Sequence, residues 1–287
     1  MTEQVEIFEM GPRDGLQNEK RLIPTADKIA LVDLLSQAGF AHIEVTSFVP
    51  PAWVPQMADA AQVMAGITRR AGTRYAVLTP NLRGYQAARA AGADMVAVFA
   101  SASEGFSRAN LNASVDEVLA RLAPVAAQAL ADGVALRGYV SVVTDCPFDG
   151  STPPAAVARV AAALRHMGCD QISLGDTIGQ GRPETIDAML TAVLDELPPE
   201  RLAGHYHDTA GRALANVDAS LARGLRVFDA AVGGLGGCPY APGAAGNVAT
   251  ESLAAHLTGQ GFAHGLDMAI ITRAADMARA LREAPHG

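Results

Sequence analysis

Lysine is nearly missing from this sequence. Only Lys20 and Lys28 occur among 22 basic residues, Lys20 in a loop and Lys28 in a helical stretch. A Schiff-base mechanism needs a lysine held inside a site, so any carbon–carbon chemistry in this chain would have to be metal-assisted. Cysteine is scarce as well. Cys146, Cys169 and Cys238 are odd in number and lack CxxC spacing, which argues against both a disulfide framework and a zinc cluster. No apolar run reaches the ~18 residues needed to cross a bilayer. Strand-like residues begin a few positions after Met1, leaving no room for a targeting segment, and a cytoplasmic protein is the expectation. No Lys/Arg block is present either, and 22 basic residues against 30 acidic ones give a formal charge of −8. That balance points away from nucleic acids and anionic membranes and toward small-molecule ligands.

What is present is periodic. Of the 287 residues 49% are hydrophobic, and short apolar runs alternate with longer alanine-rich amphipathic stretches, the pattern of parallel strands covered by helices. Strands are predicted at Val5–Met10, His42–Phe48, Arg74–Thr79, Asp94–Ala100, Leu136–Val143, Gln171–Asp176, Leu202–Asp208 and Arg226–Val232. Helices follow them. Thr25–Gln37 opens with Thr25 as N-cap and stops at Gly39, and Ser114–Ala131 stops at Gly133. No GxGxxG follows the first strand, so the α/β pattern fits a (β/α)8 TIM barrel better than a doubly wound sheet. Leu266–Glu283 reads as an extra C-terminal helix. Without a linker or low-complexity tract, residues 1–287 are expected to form one catalytic domain.

A barrel builds its site at the carboxyl ends of its strands, and the unusual polar residues fall there. Arg13 and Asp14 follow strand one, Glu44, Thr46 and Ser47 lie on the second half of strand two, and Asp176 ends strand six. His205 and His207 are two apart on strand seven and so share a face, as Glu44 and Thr46 do on strand two. Two inward imidazoles make a metal platform. With Asp14 as a carboxylate donor the set suits a hard or borderline divalent cation, Mg²⁺ or Mn²⁺, with Zn²⁺ also able to fit. Asp208 points to the other face and is expected to cap the next helix. The run Gly11–Gln17 (GPRDGLQ) joins turn formers to opposite charges and an amide, more than a plain connector needs. Residues 233–247 carry six glycines around Cys-Pro-Tyr, the composition of a mobile loop that brings the Cys238 thiol over a metal site as an acid or base. Cys146 and Cys169, without polar company, read as buried small hydrophobes.

With these residues in place the chain resembles the 3-hydroxy-3-methylglutaryl-CoA lyase family, within the metal-dependent barrel enzymes that include isopropylmalate and homocitrate synthases. The resemblance runs through GPRDGLQNEK (11–20), EVTSFVPPAWVPQM (44–57), SLGDTIG (173–179), HYHDT (205–209) and GLGGCPYAPGAAGN (234–247). It implies retro-Claisen cleavage of the acyl-CoA to acetoacetate and acetyl-CoA, in leucine breakdown. Asp14, His205, His207 and Asn247 are its implied metal ligands, Arg13 the holder of the thioester oxygen as enolate charge develops, and Cys238 a proton donor. Glu44 and Asp176 are implied site carboxylates. Gln17, Lys20 and Ser47 are implied substrate contacts, and Arg137 a supporting residue. A homo-oligomer, dimer or tetramer, is the expected assembly.

Departures from the family pattern flank the pocket: Ala210 stands where Tyr is usual, Ser252 where Asp is usual, and Val143-Thr144-Asp145 precedes Cys146. Loss of a tyrosine enlarges a pocket, so a longer 3-hydroxy-3-alkylglutaryl-CoA is the alternative substrate. A related acyl-CoA-dependent condensing synthase is the alternative reaction, although those chains are longer and differ in the first motif.

Overall fold

The computed structural model describes residues 2–19, 21–236 and 246–283. Eight parallel strands close a barrel in sequential order: β1 (Glu6–Glu9), β2 (His42–Ser47), β3 (Arg74–Leu78), β4 (Met95–Ser101), β5 (Ala135–Ser141), β6 (Gln171–Asp176), β7 (Leu202–Tyr206) and β8 (Val227–Ala230), with β8 pairing back onto β1. All eight predicted strands are present, most of them shorter at the carboxyl end. His207, for instance, follows β7 and bridges Asn247 instead of a strand.

Helices cover the barrel: α1 (Thr25–Leu35), α2 (Ala60–Gly66), α3 (Leu82–Ala90), α4 (Glu104–Leu111), α5 (Val115–Ala131), α6 (Pro154–His166), α7 (Pro183–Leu194), α8 (Ala213–Ala222), α9 (Thr250–Gly259) and α10 (Met268–Glu283). Their buried residues recur at helical spacing, as Val118, Leu122, Val125 and Ala129 do on α5, and these meet the outward strand residues in one core. Ser114, the first residue of the expected helix, instead caps α5 and closes a capping box with Glu117. Thr25 is a correction. It is the first residue of α1 rather than its cap, because its hydroxyl donates to Asp59 at 2.7 Å. Lys28 is buried beside it and donates to Asp59 and to the Gln56 carbonyl, a structural role. A short hairpin, Asp145–Cys146 with Gly150–Ser151, lies outside the barrel and is not among the predicted strands.

The barrel is filled, not hollow. Phe8, Met10, Ala76, Leu78, Ala97 and Tyr139 pack inside it. Arg137 crosses this layer with its guanidinium 3.9 Å from the centre of the Phe8 ring and 2.7 Å from the Asp229 carboxylate, both charges almost wholly buried. α10 packs on α1 and on the turn 232–234, so the extra helix braces the start of the glycine-rich segment.

Candidate active site

β1 ends in a single turn of π-helix, Gly11–Gly15, in which the amides of Arg13, Asp14 and Gly15 all point at the Met10 carbonyl. An extended chain would set neighbours 13 and 14 on opposite faces. The turn brings them side by side, Arg13 Nη1 donating to Asp14 Oδ1 at 2.7 Å. Arg13 Nε donates to Glu44 Oε2 at 2.5 Å, and the Tyr139 hydroxyl donates to the other Glu44 oxygen at 3.2 Å. Glu44 is fully buried, and burial raises its pKa despite the guanidinium beside it. Two carboxylates thus aim one buried guanidinium, and its other N–H groups remain for a ligand.

Asp14, His205 and His207 each offer one ligand atom within 4.8 Å of the others. The Nε2 atoms of His205 and His207 stand 3.9 and 4.0 Å from Asp14 Oδ2. Such separations are too long for hydrogen bonds, yet close enough for one ion to touch all three. Burial would raise the Asp14 pKa, but Arg13 and the two imidazoles hold it well below the usual carboxylate range. Burial pushes His207 down to about 4, so a ring lone pair is free for ligation at neutral pH. Its Nδ1 is buried and, among the described residues, unpartnered. Asn247 closes the group, its Nδ2 donating to Asp14 Oδ2 at 2.8 Å. This donor set fits a divalent cation.

Two residues of the site escaped the sequence reading. Asp229, on β8, accepts from His205 Nδ1 at 3.1 Å and from Ser173 at 2.7 Å while pairing Arg137. It turns the other nitrogen of His205 toward Asp14 and, against burial, raises the imidazole pKa. Glu9 is the second. Its carboxylate accepts from the amides of Gly11 and Val232 and from the Thr250 hydroxyl, at 2.7–2.9 Å, tying the π-turn to the turn at 232–234. Gly11 has to be glycine here, since a Cβ would lie 2.6 Å from the Glu9 carboxylate. A carboxylate inside the otherwise apolar run Ile7–Met10 was the available signal.

These groups open on a cavity of about 320 Å³ at the carboxyl end of the barrel, lined by Arg13, Asp14, Gln17, Tyr139, His205 and His207 among others. The Gln17 Oε1 is buried and, among the described residues, unpartnered. Other expected residues are not brought there. Asp176 faces away, accepting from Thr144 and from the amides of Gln180 and Gly181, and burial pushes its pKa up to about 6. Alternation on β6 explains it: Ser173 and Gly175 line the cavity, so Asp176 cannot. Ser47 is buried outside the cavity lining. On β2 the register shifts between Glu44 and Thr46, and Thr46 turns its hydroxyl to the Met57 sulfur at 3.4 Å instead of sharing the face of Glu44. Asp208 accepts from the first amide of α8 at 3.0 Å, as expected of a cap. Lys20 and Cys238 lie outside the described residues. Neither Ala210 nor Ser252 lines the cavity, which removes the physical reason for expecting a longer acyl chain.

The HMGL-like family model matches residues 4–278. The chain belongs to this family. It is 54% identical over 268 residues to the 3-hydroxy-3-isohexenylglutaryl-CoA/hydroxy-methylglutaryl-CoA lyase of Pseudomonas aeruginosa, covering 93% of this chain and 89% of that one. The crystal structure of the HMG-CoA lyase from Brucella melitensis superposes with a TM-score of 0.97 at 59% identity, covering 98% and 99% of the two chains. An HMG-CoA lyase from Acinetobacter baumannii, solved with coenzyme A and 3-methylmalate, matches with a TM-score of 0.92 at 35% identity, covering 97% and 91%. The chain is thus similar to proteins named as HMG-CoA lyases, one of them named also for 3-hydroxy-3-isohexenylglutaryl-CoA.

Glu9 yields a pH prediction. Burial raises its pKa from 4.5 to about 7, so the folded state holds this proton more tightly than the unfolded chain. The resulting stability is complete below 4.5 and disappears as pH climbs through 7. Urea titrations at pH 5 and 7.5 are expected to show wild-type protein losing up to about 3 kcal/mol over that span relative to Glu9→Gln. Parallel losses in the two proteins would set this role for Glu9 aside.

Proposed function

We propose that this chain is a divalent-metal-dependent carbon–carbon lyase that cleaves 3-hydroxy-3-methylglutaryl-CoA to acetoacetate and acetyl-CoA. The observation that carries the reading is the convergence of Arg13 with Asp14, His205 and His207 on one cavity, in a chain of the HMGL-like family. The tertiary hydroxyl loses its proton and becomes the ketone of acetoacetate. The pair from the broken carbon–carbon bond moves onto the thioester as an enolate, which is then protonated at carbon; nothing is oxidised or reduced.

Asp14, His205, His207 and Asn247 would hold the cation. A divalent ion suited to carboxylate and imidazole donors, Mg²⁺ or Mn²⁺ with Zn²⁺ also able to fit, supplies Lewis-acid polarisation of substrate oxygens. Arg13 binds the thioester oxygen and stabilises the charge that develops on it, with Glu44 keeping the guanidinium aimed. Gln17 offers its unpartnered amide oxygen to a substrate donor. Protonation of the enolate carbon is assigned to Cys238, and a substrate contact to Lys20, on the motif match alone. Asp176 and Ser47 act at one remove, Asp176 by holding the backbone at Gln180 and Gly181.

The decisive experiment is acetyl-CoA release from 3-hydroxy-3-methylglutaryl-CoA with Mg²⁺ or Mn²⁺, repeated with EDTA. Chelator-sensitive release is expected, and no release with metal present would reject the reading. Arg13→Met takes the cation from buried Glu44 and should lower the urea midpoint, and in protein that is still folded by circular dichroism it should lose ~3 kcal/mol of transition-state stabilisation, about 100-fold in kcat. Turnover like wild type would sink the role given to Arg13. Asp229→Asn should weaken Mn²⁺ binding, read by calorimetry, by roughly 10–100-fold. Unchanged affinity would mean that His205 needs no carboxylate to orient it.

A further inference from the structure

Apolar side chains are not spread evenly around the interior of the catalytic cavity. Among the described residues only β3 and β4 turn wholly apolar strand side chains into it, Leu78 at the end of β3 and Phe99 on β4. Strands β5, β6 and β7 give it Tyr139, Ser141, Ser173 and His205, and Arg13 and Asp14 follow β1. Val140 also borders the cavity, but its side chain packs in the outer core under the helices. Leu78 stands one alternation above Ala76, and Phe99 one above Ala97, all within the barrel interior. Leu78 pairs with Ala97, so the two larger side chains form one apolar step above two alanines. Strand order sets this step across from the charged groups: in the closed ring of eight, β3 is four strands from β7 and β4 is four from β8.

The carbon that reacts decides what meets the step. In a 3-hydroxy-3-alkylglutaryl thioester it carries a hydroxyl, the thioester arm, a carboxymethyl arm and the alkyl group. The hydroxyl belongs beside Asp14, His205 and His207, and the thioester oxygen beside Arg13. The carboxymethyl arm ends in a charge, which an apolar wall would leave without a hydrogen bond. Only the alkyl group gains by burial against Leu78 and Phe99. That wall is also stiff. Leu78 is paired to Ser47 on one side and Ala97 on the other, and Phe99 to Tyr139, so a longer chain meets packed strand residues rather than a loop that can yield.

We infer that Leu78 and Phe99 enclose the 3-alkyl substituent of the substrate and limit it to a short one such as methyl. The inference rests on the reaction proposed above and names the residues that decide which homologue enters it.

Acetyl-CoA release from the 3-methyl, 3-ethyl and 3-butyl members of the 3-hydroxy-3-alkylglutaryl-CoA series tests it. Wild type should lose about tenfold or more in kcat/KM from methyl to butyl. Phe99→Ala and Leu78→Ala should each swing the butyl-to-methyl ratio of kcat/KM about tenfold toward butyl, and Phe99→Leu, which frees less space, should swing it less. A ratio of two substrates in one preparation does not depend on the fraction of protein that is folded, so a destabilised Leu78→Ala still reports. Leu111→Ala removes an apolar lining side chain that comes from the end of α4 and should leave the ratio as in wild type. A ratio unmoved by both Phe99→Ala and Leu78→Ala would overturn the assignment. So would a swing at Leu111 with none at Phe99, which would put the alkyl group under α4. Failure of this subsite is separable from failure of the lyase reading: cleavage of the methyl substrate with a ratio blind to Phe99 and Leu78 removes the subsite alone, whereas no release from any member by wild type removes the reaction and the subsite with it.

Discussion

Two buried arginines, each locked to a carboxylate, are the constraint on which the cavity depends. A guanidinium cannot be buried alone, and a buried carboxylate is equally costly without a partner, so each pair fixes two strands against one another. Arg137 on β5 reaches Asp229 on β8 across the barrel interior, and Arg13 after β1 reaches Glu44 on β2. Tyr139 links the two pairs, accepting from Arg137 at 3.3 Å and donating to Glu44 at 3.2 Å. Two groups facing the cavity are held through this network: Asp229 sets the ring of His205, and Arg13 sets the carboxylate of Asp14.

The same network explains how a reactive site sits in a stable barrel. Charges that would repel or desolvate separately are arranged so that Asp14 stays ionised while His207 stays neutral, the protonation states a cation requires of its ligands. Arg13 is buried on its fixed side and faces the cavity with its remaining donors, so little reorganisation accompanies charge development on a bound thioester. Glu9 works behind the site. It ties the π-turn to the first turn after β8 where the barrel closes, and so joins the two ends of the motif set that are farthest apart in sequence.

Local rules made much of this legible. The strands followed from apolar runs alternating with helical stretches, and His205 with His207 from the period of two within a strand. Where alternation was not applied, the reading went astray: Asp176 sits at a strand end but on the face turned from the cavity. Thr46 departed for another reason, since a shift of register breaks the period. Asp229 was hidden because an aspartate in Val227–Ala230 acquires meaning only when the neighbouring strand proves to carry His205.

By itself, then, the sequence determined the class of fold, the end of the barrel where chemistry occurs, and the residue types available to hold a cation, because these depend on periodicity and on short-range spacing. Tertiary structure alone decided which carboxylate orients which cation or imidazole, which polar residues turn away, and where Leu78 and Phe99 stand relative to His205. Those outcomes depend on strand register, on the π-turn after β1 and on closure of β8 against β1. Contacts of that kind join residues as far apart as Glu9 and Thr250, and no local pattern encodes them.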